Sequence, residues 1–189
     1  MKEVKRITYQ DTKPFILNIH YAKRMPIIKY AFGLFEDGDL IGIITYGQPS
    51  SPSLSKSFAG DKNKSNILEL NRLCFKPNYN GDNRASFLIS HSLKLLPRYT
   101  FVVSYADTGQ GHTGYVYQAA NFYFWGTTKE RTDIYSKGHA RHYLKEETRR
   151  QTRTAKHRYV YFVGTRKDVK QMKKEVKYKI TKEYPKGMG

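Results

Sequence analysis

Asp107 closes a run of apolar and β-branched residues, Thr100 to Ser104 followed by Tyr105 and Ala106, and opens the segment Thr108-Gly109-Gln110-Gly111-His112. A carboxylate at the carboxyl end of a buried strand, beside glycines that let backbone approach a ligand, is suited to act as a general base or proton acceptor. The same residue type at a strand end also forms Asx turns, which need no ligand. Tyr105 and Tyr117 could donate to a developing oxyanion or a leaving group. Tyrosine is so abundant here, at 16 residues, that a core role for either is equally open.

A second kind of chemistry is written further upstream. The strand-forming run Glu69 to Phe75 leads into the polar loop Asn80 to Ala85 and then a helix from Ser86 to Leu96. Unpaired N–H groups and the helix dipole make such a helix start a site for a phosphorylated ligand. Arg84, Ser86 and the N–H groups around Ala85 and Ser86 are the expected phosphate contacts, with Asn83 in the loop and Arg72 on the strand assigned to the same cofactor. The alternative is that Asp82 or Asn83 caps the helix while Arg84 is solvated.

The histidines do not spell out a metal site. His20, His112 and Asp107 supply a two-histidine, one-carboxylate set only through unlinked spacings, and His139 and His142 have no third ligand nearby, so no metal ligand is assigned. The pattern of a zinc deaminase is missing, as are a P-loop lysine and a Ser-His-Asp order. Cys74, flanked by Leu73 and Phe75, reads as an inert buried thiol and fits a reducing cytoplasm.

These groups must be positioned by one domain of 189 residues. Ile7 to Tyr21 reads as a short strand or turn and then a helix, with Pro14 in its first turn. Tyr30 to Phe35 and Leu40 to Tyr46 read as antiparallel strands joined by a hairpin turn. Pro49 to Ser65 reads as an exposed loop, and Ile67 to Phe75 as a third strand. In the helix that follows, Leu88, Ser92 and Leu95 share a face. Thr100 to Ser104 is a central strand, Gly114 to Asn121 a short helix, Tyr123 to Gly126 an extended segment and Tyr159 to Val163 a last strand. From Asp168 onward helical periodicity is weak. The result is a mixed α/β or α+β domain.

Net charge is +18, from 34 Lys+Arg against 16 Asp+Glu, and residues 137–189 alone hold 17 basic and 5 acidic side chains. A basic surface with interleaved aromatics fits a polyanion such as nucleic acid. A helix from His139 to Thr152 would align Arg141, Lys145 and Arg149. With Arg150, Arg153, Lys156 and Arg158 they form the expected clamp on a DNA backbone, the alternative being an ordinary solvated helix. No apolar run approaches the roughly 18 residues needed to span a bilayer, and Met1 to Arg6 lacks a signal peptide's apolar stretch. Neither export nor membrane embedding is expected, and the cytoplasm is the assigned location.

The strand Glu69-Leu70-Asn71-Arg72-Leu73, the loop and helix after it, the next strand, and Tyr117 to Gly126 together resemble the second half of the GNAT acyltransferase fold. More closely, Glu69 to Phe75, Asn83 to Ser86, Ser104 to Asp107, Gly111-His112, Gly114 to Asn121 and His20-Tyr21 resemble the Mom family of phage DNA-modification proteins, over roughly residues 15–135. The resemblance implies a central mixed, mostly antiparallel sheet flanked by helices, with a catalytic core over residues 1–136. Residues 137–189 would then add the last strand or strands and a basic DNA-binding extension. It implies an enzyme that converts adenine in double-stranded DNA to its N6-carbamoylmethyl (acetamido) form and so protects phage DNA from restriction in the bacterial host. Acetyl-CoA or a related acyl-CoA would be the donor. The loop Asn80-Gly81-Asp82-Asn83-Arg84-Ala85 departs from the usual glycine-rich pyrophosphate loop, having one glycine and an acid.

An adenine amine is a poor nucleophile, so Asp107 is the expected base or N6 acceptor and Tyr105 and Tyr117 the expected donors. His20 and Tyr21 complete the catalytic set, and Tyr21 and Tyr46 are candidates to stack on a base taken out of the duplex. The competing readings are an acyltransferase acting on protein or tRNA, and a non-catalytic nucleic-acid-binding protein.

Overall fold

Asp37 and Gly38 both adopt positive φ (49° and 92°), the geometry of a tight two-residue hairpin turn. Around that turn β2 (Tyr30–Glu36) and β3 (Asp39–Gly47) pair antiparallel, their continuous apolar runs buried along most of their length. The computed structural model describes residues 1–49, 51–79, 81–135 and 149–186. The remaining strands are β1 (Lys2–Arg6), β4 (Ile67–Phe75), β5 (Thr100–Asp107), β6 (Tyr123–Thr127), β7 (Arg131–Tyr135), β8 (Arg149–Arg153) and β9 (Lys156–Val163). The helices are α1 (Tyr9–Pro14), α2 (Pro52–Ala59), α3 (Arg84–Lys94), α4 (Tyr115–Ala119) and α5 (Arg166–Glu175).

Seven strands form one sheet in the order β1-β2-β3-β4-β5-β9-β6, and β7 and β8 form a separate two-stranded ribbon. Every pairing in the sheet is antiparallel except β4 with β5. Side chains alternate between two cores, as the strand period dictates: Val102 joins α3's Leu88 and Ile89 on one face, while Phe101 and Val103 join Phe58 of α2 and Met172 of α5 on the other. β9, from the basic end of the chain, lies between β5 and β6, and its Tyr159 and Val160 are fully buried.

Four local expectations are corrected. The stretch 49–65 is not simply an exposed loop: Pro52 begins α2, and Phe58, completely buried against Phe101 and Trp125, anchors that helix despite the polar residues around it. Pro14 ends α1, which starts earlier from a Thr8–Asp11 capping box, and Phe15–Ile19 continues as a π turn. The lysine-rich segment forms α5, fixed by a Thr165–Asp168 capping box whose carboxylate also takes a bidentate pair from Arg98. Arg149 to Thr152 lie in β8, paired with the β-branched and aromatic residues of β7, so no helix runs through them. β1 is charge-rich because, as an edge strand, it keeps its charges in water.

Candidate active site

β4 and β5 run parallel only from Ile67 to Glu69 and from Phe101 to Val103, and then separate. The Ser104 hydroxyl reaches across to the Leu70 carbonyl at 3.3 Å, the link just past the end of the ladder. Two clefts open at this splay. The first, about 930 Å³, is lined by Glu69, Arg72, Tyr105 and Tyr117 and by cations from Lys129, Arg131, Arg153 and Lys156. The second, about 700 Å³, is lined by Leu73, Cys74 and Phe75 and by Gly81 to Ser86. His20, Tyr21, His112 and Tyr115 border both clefts and form a waist between them.

At the waist the His20 and Tyr21 rings stack at 4.5 Å, and Tyr21 meets His112 edge-on at 6.4 Å. The Ala22 N–H donates to His20 Nδ1 at 3.1 Å, so a neutral His20 carries its proton on Nε2 and points a donor elsewhere. Burial, reinforced by the charges of Arg72 and His112, pushes the His20 pKa down to about 4 and keeps the ring neutral. Arg72 is held by the carbonyls of Asn71 (2.6 Å) and Arg24 (2.8 Å), while its buried Nε has no hydrogen-bond partner among the described residues. It thus presents a fixed positive charge beneath the waist.

Glu69 stands at the last paired position before the splay, half-buried in the floor of the basic cleft. Burial, and then the Glu69 charge, raise the Tyr105 pKa. Tyr117 is pushed up to about 12, chiefly by burial and against the Ser104 hydroxyl beside it. Both phenols therefore stay protonated and available as donors at neutral pH. Tyr46 does not face the site: it is wholly buried and shares a 2.7 Å hydrogen bond with Ser92. Glu69 was not singled out in the sequence, although a carboxylate between Leu68 and Leu70 in a buried strand was its signal.

Asp107 takes another place from the one expected. It lines neither cleft among the described residues. Its Oδ1 accepts from the Thr154 hydroxyl and from the Gly109 N–H (3.0 Å), an Asx turn, and its Oδ2 pairs with Lys156 at 3.2 Å. Burial alone would raise its pKa, but Thr154, Lys156 and Gly109 together hold it below the ordinary value, so it is a weak base. A β-carbon at Gly109 would lie 2.4 Å from Thr154, so this junction needs glycine. Asp107, His20 and His112 do not converge, and no group of three metal-ligating side chains occurs among the described residues.

The basic set divides. Arg153 lines the first cleft directly across the ribbon from Arg131, and Lys156 lines it while pairing with Asp107. Arg158 is half-buried, its guanidinium 4.0 Å over the Trp125 ring and donating to the Trp125 and Gly126 carbonyls, so its described partners are within the fold. Arg149 and Arg150 belong to β8; Arg141 and Lys145, with His139 and His142, lie outside the described residues.

In the second cleft Asp82 and Asn83 both have positive φ (49° and 57°), and the Asn83 side chain makes no cap. Arg84 is not solvated: it donates to both Glu36 oxygens (2.9 and 3.1 Å) and to Asp82 (2.8 Å). The Ser86 hydroxyl donates to the Asn83 carbonyl, while the N–H groups of Ala85 and Ser86 have no partner among the described residues. That leaves backbone donors, rather than the Arg84 guanidinium, to meet an anion. Cys74 is buried, with its pKa pushed up to about 11 by desolvation, and contributes an inert wall.

The fold is that of GNAT acetyltransferases. Spermidine/spermine N-acetyltransferase SpeG from Vibrio cholerae superposes with a TM-score of 0.54 at 10% identity, over 92% of this chain and 96% of that one. The GNAT acetyltransferase of Streptococcus pneumoniae gives 0.52 at 11%, over 87% and 100%. Arabidopsis thaliana NAA60, solved in complex with acetyl-CoA, gives 0.50 at 16%, over 86% and 99%. In sequence, the methylcarbamoylase Mom of Escherichia phage Mu is 30% identical over 131 residues, 66% of this chain and 53% of that protein, so this chain spans about half the length of that relative. The Mom protein family model matches residues 2–186, and the chain belongs to that family.

Proposed function

We propose that this protein modifies the N6 amino group of adenine in double-stranded DNA, giving N6-carbamoylmethyl adenine, and that the modification shields phage DNA from restriction in the host cytoplasm. The observation that carries this reading is Glu69, a half-buried carboxylate in the floor of a cation-lined cleft joined through an aromatic waist to a cleft with free helix-start donors. The cations attract the phosphates of DNA, and Glu69, in the floor of the same cleft, accepts the N6 proton. His20 and Tyr21 give a flipped base a stacking surface, with the neutral His20 Nε2–H as a hydrogen-bond donor.

An acyl-CoA fits the second cleft: the Ala85 and Ser86 N–H groups meet its phosphates, and Leu73, Phe75 and Ala119 line its apolar part. Bound there, a CoA thioester would by itself transfer an acyl group through its carbonyl carbon; the carbamoylmethyl product joins N6 to a methylene carbon, so forming it also requires a co-donor that supplies the amide nitrogen and a leaving group on that methylene. Tyr105 and Tyr117 remain protonated and donate to the negative charge that develops. Residues 1–136 form the catalytic core on this reading, with 137–189 adding β9 and the basic extension.

The test is to express the protein in a bacterium, digest the host DNA and the tRNA to nucleosides, and weigh them. An adenine deoxynucleoside heavier by a carbamoylmethyl group is the expected result. Unchanged DNA with an acylated tRNA nucleoside or protein amine would favour the acyltransferase alternative. DNA binding with no modified product anywhere would favour a purely binding role.

A further inference from the structure

We propose that the β7–β8 ribbon is an arm that enters the major groove of duplex DNA and presents the adenine edge to the first cleft. This rests on the DNA-modification reading above and adds which element of the chain docks, and in which groove.

The ribbon grows from the β6–β9 ladder. Thr127 pairs with His157, the Thr128 N–H donates to the Lys156 carbonyl at 2.9 Å, and Arg131 then faces Arg153, with the ribbon paired to no other strand among the described residues. Five residues per strand give an arm about 17 Å long, and its two strands lie about 4.8 Å apart. Such a ribbon fits the major groove, which is about 12 Å wide and admits a two-stranded β-ribbon. The two strands hold four arginines (131, 149, 150 and 153) against one acid, Asp133. At the arm's root, Lys129, Arg131, Arg153 and Lys156 all line the first cleft, so the charge that meets phosphate continues into the site. N6 lies on the major-groove edge of adenine, so a base turned out on that side passes beside the arm to the stacking surface of His20 and Tyr21 in the first cleft. The root is rigid: Asp107 at the end of β5 holds both Thr154 and Lys156, and the Thr108 N–H and hydroxyl both donate to the Ala155 carbonyl.

The test is fluorescence anisotropy of a labelled duplex titrated with the full chain across a salt series. For the double variant Arg131→Gln/Arg153→Gln, the slope of log affinity against log salt should fall by about 2, with affinity at about 0.15 M salt reduced at least ~10-fold. Lys170→Gln/Lys174→Gln on exposed α5 removes the same charge and should leave the slope nearly unchanged. A duplex whose major groove is filled by glucosylated hydroxymethylcytosine should bind poorly, whereas netropsin in the minor groove should not compete. Equal thermal melts for the two double variants separate lost contacts from lost fold. An unchanged slope in the arm variant, or displacement by netropsin with no effect of glucosylation, would overturn the proposal. A wild-type chain that binds no duplex would instead defeat the DNA reading itself.

Discussion

The Asp107 carboxylate and the Thr154 hydroxyl, 47 positions apart in the chain, are joined by a short hydrogen bond that fixes the end of β5 to the root of the β7–β8 ribbon. A residue whose sequence context suggests a general base is here a fastening between the strand that carries Tyr105 and the segment that carries Arg153. Asp107→Asn keeps an acceptor but loses the charge facing Lys156. It should weaken duplex affinity several-fold and lower stability by about 1–3 kcal/mol, with acyl-CoA affinity unchanged. Calorimetry and DNA titration of the same variant check this; an intact DNA affinity with turnover abolished would return Asp107 to the chemistry.

His20 supplies a pH prediction. Its folded pKa of about 4 lies below the ordinary value of 6.5, so between those values the unfolded chain binds a proton that the folded chain refuses. Its contribution to stability is therefore complete above about pH 6.5 and is lost as pH falls toward 4. NMR titration of the ring should show a midpoint near 4, with the proton on Nε2 in the neutral form. A midpoint near 6.5 would mean that the ring is solvated.

At the start of α3, a negative charge separates helix stability from anion binding. Ser86→Asp should leave the melting temperature equal or higher, since an acid in the first turn suits the helix dipole by about 0.3–1 kcal/mol. The same charge should repel the phosphates of acyl-CoA and weaken its binding at least ~10-fold. Normal acyl-CoA affinity in this variant would move the phosphate site elsewhere.

Gly114 precedes α4 with φ +81°, and a β-carbon there would sit 2.3 Å from the Tyr159 ring. Gly114→Ala should cost about 2–4 kcal/mol through backbone strain and overpacking. That lowers the melting temperature by roughly 5–15 °C. A thermal melt within a degree or two of wild type would show that the α4 start is free to move.

Much of the architecture could be read from pattern. The Asp37-Gly38 hairpin, the continuous apolar run of β5 and the helical spacing of Leu88 and Ser92 are local signals that the structure follows, although Leu95, expected on the same face, lies past the end of α3 and is exposed. Elements held by one distant contact could not be read so. α2 depends on Phe58 reaching Phe101 and Trp125, and α5 on a capping box joined to Arg98. The same division runs through the site. His20, Tyr21, Tyr105 and Tyr117 do meet at the splay, whereas Arg72, expected at the cofactor beside Asn83 to Ser86, lines the first cleft and not the second. Arg84 and Arg158, however, are claimed by Glu36 and by the Trp125 ring, partners remote in sequence, and Glu69 gains its importance only where β4 and β5 part.

The most direct measurement compares wild type with Glu69→Gln in one experiment: host-DNA nucleosides by mass spectrometry, and duplex affinity of the purified proteins. The account predicts a carbamoylmethyl-adenine nucleoside from wild type, reduced at least ~10²-fold by Glu69→Gln while duplex affinity stays within a few-fold. Undiminished product from Glu69→Gln would contradict the assignment of the base. Unmodified adenine from a folded wild-type protein that binds DNA would contradict the account as a whole.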